Sequence, residues 1–572
     1  MILLSNRLAR PLLAAIMAMA LVPATSAQSG ATNLLDMLQL YRSSPTGSYL
    51  AGRQALNDMQ TDEAARYFND AAQGDWDNPV LVERSFIAFA ANGQISQSAQ
   101  VAKRLTELVG QNELAELVVA TQALKERRYG ATESALATVS QDTFTGITAG
   151  ILRAWALVGE KRYDEADALI TKLGSTGLED FLVFHRALMA EVAGNKAKAL
   201  ELAAKAYENE PYVARMVEVY SRMLANDGRF DEAAEVIDSF ESQGLTYPLV
   251  TVVKEAVQAK RRPGVFATSV QIGAAEMFHG IGVALSRDGS KDLALVFLRL
   301  GYYLDPNADV IGLAAGMLLD SSGQHEAANK LYDAVSSSSA MKPTAVVRIA
   351  QNLDSMGDRA EALRRLRNIV ATRPNDLDAV SVLGDLLRYD EQYVEAAEAY
   401  TKALEITGGE APADWRFYYV RGIAYERAKE WPKAEADFLK ALDLNPEQPS
   451  VLNYLGYSWI DQDMNLDEAL GMIEKAVEAQ PQDGYIVDSL GWAFYKLGRI
   501  DEAVETLERA VMLRPNDAEI NDHLGDAYWK AGRRLEAQFQ WKVAKSVDEV
   551  GNVAARVGPK LTEGLTPATA TE

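Results

Sequence analysis

The chain has 572 residues, a formal net charge of −23 from 57 basic and 80 acidic side chains, and no cysteine. The length suits about four ordinary globular domains. So acidic a chain repels phosphate backbones and anionic lipid, which argues against nucleic acid as a partner. The missing cysteine excludes disulfides, thiol nucleophiles, thiolate metal sites and a cysteine-borne lipid anchor.

The first element is an address. Arg7 and Arg10 precede an apolar run, 12–22, that is too short to cross a bilayer. "PATSA" (23–27) ends in small residues that suit cleavage after Ala27. We expect 1–27 to be a cleaved signal peptide. No later stretch is long and apolar enough to span, so no transmembrane segment is expected after its removal.

From residue 28 the chain reads as helix pairs recurring about every 34 residues. Small residues mark each pair. Gly52 with Ala64 is the first, Phe86 with Ser98 and Ala120 with Thr132 are fainter, and Phe86 departs by its bulk. Ala154 with Ala166, Ala187 with Ala199 and Ser221 with Ala233 complete an N-terminal block, 28–244. Residues 245–281 break the register. "PLVTVVKEAVQAKRR" reads as a helix stopped by Pro263 and Gly264, and a long helix follows. We expect an irregular helical insertion dividing the array into two blocks.

The C-terminal block, 282–551, holds Gly282 with Ala294, Ala315 with Ala327, Ala350 with Ala362 and Gly384 with Ala396. Gly422 with Ala434, Gly456 with Ala469, Gly491 with Ala503 and Gly525 with Ala537 follow. Ala469 comes one residue late because "DQDMNLDEA" carries an insertion. Pro446, Pro481 and Pro515 close three of these units. Leu490, Phe494 and Leu497 form one helical stripe, and Ala503, Leu507, Ala510 and Val511 a second. A glycine inside a helix costs about 1 kcal/mol relative to alanine, so its recurrence implies a steric reason, close helix approach. Hairpins of this kind bury their stripes only by stacking on neighbours. Residues 552–572 run out in Gly, Pro, Thr and Ala and are expected to be a disordered tail.

These units resemble the tetratricopeptide repeat (TPR) family over nearly all of the chain after residue 27. The resemblance implies an all-α fold, a right-handed superhelical solenoid of about fourteen helix hairpins, with no cofactor. In that family the first helix of each hairpin lines an inner groove at positions −6, −3, +1 and +4 from the small residue. Carried onto this chain, those positions give Tyr419, Glu426, Asn453, Tyr457, Tyr485, Asp488, Trp492, Tyr495, Asp522, Asp526 and Trp529. Aromatic area and acceptor carboxylates suit an extended peptide or loop of basic character. Asp488, Asp522 and Asp526 would repel a chain-terminal carboxylate.

"NYLGYSWID" and "SLGWAFYKLG" are similar to large periplasmic TPR proteins of Gram-negative bacteria. That implies a periplasmic scaffold or adaptor, with presentation of substrates to a periplasmic protease as one expectation. A scaffold for outer-membrane or exopolysaccharide export assembly is the alternative within the same architecture.

Chemistry is not nominated anywhere. The four histidines, His185, His279, His325 and His523, are scattered. "HEAAN" (325–329) has Asn329 where a zinc-binding helix needs its second histidine, so no metal is expected. No phosphate loop or nucleophile elbow occurs. We therefore expect no enzyme. A murein hydrolase, the alternative of another class, would need a catalytic domain that 552–572 are too few to form.

Overall fold

A computed structural model describes residues 44–174, 178–549 and 551–566. The signal expected at 1–27 lies outside them. Among the described residues there are thirty α-helices and no strand, and none is long and apolar enough to cross a membrane. The helices follow one another as hairpins, an all-α solenoid.

Two compact units divide the chain, one through Met356 and one from Gly357. Among the described residues thirteen hairpins lie within them, and the Ala350–Ala362 pair is cut by the boundary: Lys342–Ser355 ends the first unit and Arg359–Thr372 begins the second. The division was expected at 245–281. That segment instead belongs to the first unit. Its long helix, Val270–Arg287, pairs with Lys291–Leu304 and folds back on earlier hairpins, so a Cβ on Gly273 would strike the Trp155 ring at 2.0 Å.

The fold-back has a polar logic. The first helices of early hairpins end in carbonyls that lack intrahelical donors. Gln324 donates to Asp58 O (2.9 Å), Arg299 to Ala91 O (3.2 Å) and Gln271 to Leu124 O (2.8 Å). Two of these helix ends are thus satisfied by later side chains, and Leu124 O, which also accepts from Arg127 N at 3.0 Å, gains a further donor. Burial pushes the Arg299 guanidinium down to about 10.

Small residues recur because a bulky side chain sixteen or seventeen residues later fills the space. A Cβ on Gly384 would lie 2.7 Å from Tyr400, one on Gly456 2.8 Å from Ile473, and one on Gly491 2.6 Å from Leu507. Gly316, not Ala315, holds this place in its hairpin, opposite Tyr332 at 2.5 Å. The expected pair Ala315–Ala327 is therefore one residue early, and Gly316–Ala328 is the pair. The Phe86 unit keeps the geometry by exchanging volumes: Phe86 and Ala102, sixteen residues apart, are both fully buried. Ser98 Oγ donates to Phe86 O at 2.8 Å. The late Ala469 follows a longer turn in which Asp463 and Asn465 take φ of 54° and 45°.

The expected tail is also corrected. Asn552–Glu563 is a helix with Val557 fully buried. Composition pointed to disorder, but Val553 and Val557 supply an apolar stripe, and Arg556 and Lys560 supply charges that buried carboxylates need.

Candidate functional site

In the second unit the first helices of successive hairpins are Leu377–Tyr389, Trp415–Arg427, Pro449–Asp461, Gly484–Lys496 and Ala518–Lys530. Asp376, Asp483 and Asp517 cap three of them, accepting from the N–H groups of Ala379, Tyr485 and Ile520 at 3.0, 2.9 and 3.1 Å.

The eleven side chains expected on one open face separate into two sets. Five at positions −3 and +1, Tyr419, Asp488, Trp492, Asp522 and Asp526, meet the next first helix. Asp488 accepts from His523 Nδ1 at 3.0 Å. Trp492 stacks on the same imidazole with centroids 4.1 Å apart and planes 19° off parallel. One repeat later, Lys560 Nζ donates to both Asp522 and Asp526 at 2.8 Å. Arg556 donates to Asp522 at 2.8 Å and to Glu519 at 2.7 Å, and Trp541 Nε1 to Asp526 at 2.9 Å. Lys560 thus stands to the last hairpin as His523 stands to the one before. Tyr419, also at −3, meets Tyr454 of the following helix edge-on at 6.1 Å.

Asp488, Trp492, Asp522 and Asp526 are consequently buried, at 7, 3, 1 and 5% exposure. They do not form an open acidic groove, and the basic partner inferred from them loses its support. A carboxylate on a helix–helix seam is tolerated only beside a cation and donors, and the chain supplies these itself. Burial, and then Asp522, push the Asp526 carboxyl up to about 6 against the pull of Lys560. Although burial opposes it, Asp522 and Glu519 hold the Arg556 guanidinium above its usual value.

Positions −6 and +4 stay accessible. Tyr485 is 50% exposed, with the Arg514 guanidinium 4.6 Å from its ring centre. Glu426, Tyr495 and Trp529 are half-buried. Glu426 accepts from the Tyr454 hydroxyl at 3.1 Å. Tyr495 lies flat on Trp492, centroids 4.7 Å apart. Trp529 leans on Trp541 at 5.4 Å and is touched by Gly564. Asn453 and Tyr457 are half-buried, and Asn453 Oδ1 has no hydrogen-bond partner among the described residues.

Sequence reasoning missed position +5. Tyr389, Arg427, Asp461, Lys496 and Lys530 occupy it in the five helices. Tyr389 is 59% exposed and Lys496 reaches Asp461 at 3.4 Å. Their recurrence five residues after each small residue is the signal that could have found them.

Family models for the tetratricopeptide repeat match residues 347–411, 415–448 and 491–532. A TPR repeat-containing protein of Pseudomonas aeruginosa is 27% identical over 141 residues, 24% of this chain and only 23% of the relative's length. Among solved structures, a tetratricopeptide repeat protein from Parabacteroides merdae is 16% identical, with 43% of this chain and 95% of that chain covered at a TM-score of 0.38. Yeast Tom70 is 13% identical, with 74% and 96% covered at a TM-score of 0.36.

Proposed function

Because the chain is a tetratricopeptide-repeat protein, we propose that its second unit is a scaffold that holds a protein or peptide partner against the aromatic side chains at positions −6 and +4. The observation that carries this is the state of Tyr485, Tyr495 and Trp529. Their rings are exposed or half-exposed, yet Tyr495 and Trp529 are each backed by another ring, Trp492 and Trp541. Rigid aromatic area of this kind binds with little loss of side-chain freedom.

On the strength of residues 1–27 we place the protein in the periplasm. There the role we propose is an adaptor that presents substrates to a processing protease. Cell fractionation tests the location. A photo-crosslinking residue at position 485 in intact cells, with mass spectrometry of the adducts, tests the rest. Recovery of a periplasmic protease or its substrates supports the adaptor. Recovery of outer-membrane or polysaccharide-export components replaces it with an assembly scaffold. Crosslinking no stronger than from position 478, exposed on a second helix, overturns the face itself.

A further inference from the structure

The first unit carries a second polypeptide site, and it is already filled. In the helix Ala214–Asp227, positions −6, +1 and +5 from Ser221 are Arg215, Arg222 and Asn226. Glu191 is at +4 from Ala187 in the preceding first helix, Glu179–Val192. All four engage one extended segment of the chain, 260–268, which joins the helices Pro248–Gln258 and Val270–Arg287.

The segment cannot be helical. Pro263 has no N–H, and Gly264 sits at φ +83°, a conformation that disfavours any side chain. Its backbone groups are therefore left to side chains. Asn226 takes both polar groups of Gly264, donating to O at 2.8 Å and accepting from N at 3.0 Å. Arg222 donates to Pro263 O at 3.1 Å, and Glu191 accepts from Ala267 N at 3.0 Å. The Arg215 guanidinium lies 4.7 Å from the Phe266 ring centre and is itself fixed by two hydrogen bonds to Glu276, at 2.9 and 2.6 Å.

These contacts read backbone, one aromatic ring and one small residue. Ala267, 2% exposed, also sits in the core with Phe266 packed against it, while the residues around them face solvent. Val265 is 46% exposed, and Arg262, Gly264 and Thr268 are exposed as well. An open cleft of about 950 Å³ runs beside it, lined by Leu200, Tyr220 and Met223.

We propose that this face is a binding site for extended polypeptide, occupied in cis by residues 260–268, and that a partner strand carrying Pro-Gly with an aromatic residue two places after the glycine binds by displacing that segment. The site lies in the first unit and is independent of the face proposed above in the second. A tethered occupant competes at an effective concentration that a free peptide does not reach, so the unmodified chain is self-inhibited at this site.

The test uses a labelled peptide of residues 260–268 and the full chain. Gly264→Pro removes the N–H that Asn226 accepts and forbids the positive φ, so it ejects the segment and leaves the helix side chains in place. The peptide is expected to bind this variant at least ten-fold more tightly than it binds the unmodified chain, and Asn226→Ala added to the variant should reverse the gain. Equal binding by both chains overturns the proposal. Hydrogen exchange on the unmodified chain decides independently of how the variant folds. The amides of Gly264 and Ala267 should exchange faster than those of Ala214–Asp227, and exchange together with that helix would make the segment a structural part and overturn the proposal.

Discussion

Replacing Lys560 by methionine tests how the last hairpin is closed. The ammonium is buried between Asp522 and Asp526 at 2.8 Å from each. Methionine keeps most of the chain length and removes the charge. Breaking a buried pair by deleting one partner costs about 3–5 kcal/mol. Arg556 remains beside Asp522 and Trp541 beside Asp526, so we expect the lower end, about 3 kcal/mol, or about two orders of magnitude in local opening. Stability in a repeat array is a sum of unit and interface contributions, so the assay is hydrogen exchange of the amides in Ala518–Lys530 and Asn552–Glu563. The effect should also depend on pH. Burial and Asp522 raise the Asp526 carboxyl above its unfolded value, and losing Lys560 raises it further. A group with a raised pKa contributes stability below its unfolded value and loses it as pH rises through the folded one. The penalty should therefore be smaller at pH 5 than at pH 8. A penalty below about 0.5 kcal/mol, or one independent of pH, would refute the account of these carboxylates as dependent on Lys560.

Gly491→Leu should destabilise the Gly484–Leu513 hairpin by about 1–3 kcal/mol or more, read as a lower local melting point, since even a Cβ added there would lie 2.6 Å from Leu507. Trp492→Ala should lower stability by about 3–5 kcal/mol, as a buried aromatic does, whereas Tyr485→Ala should leave melting unchanged and reduce partner capture. His185 is fully buried among Trp155, Phe181 and Phe184, and burial pushes its imidazole down to about 4 from 6.5. The unfolded chain therefore protonates first, and the first unit should lose up to about 3 kcal/mol as pH falls from 6.5 to 4. Denaturation of His185→Leu across that range should show a flatter profile.

The hairpins were legible because their cause is local: a small residue and, one half-repeat on, the side chain that fills its space. That complementarity survives even where the sizes are exchanged, as at Phe86 and Ala102. The open face was not legible, because it depends on what the next helix brings. Position −2 decides it. His523 and Tyr454 reach back to Asp488 and Tyr419, pairings about one repeat apart that a reading within one helix does not reveal. Glycine and proline in the last residues hid Val557 and Lys560, whose partners lie about a repeat upstream. The stretch "RRPG" read as a helix stop, and nothing in a linear pattern ties it to Asn226.

The helix Asn552–Glu563 also has a role at the open end of the hairpin stack. A hairpin stack has no inherent length: its last face matches the first face of another hairpin, and across separate chains such head-to-tail contacts need not close. Here Asn552–Glu563 covers that face and neutralises its carboxylates with Arg556 and Lys560. Without it, Asp522 and Asp526 would lose the cations that neutralise them. The same twelve residues that complete the fold therefore occupy the face on which one more hairpin would stack.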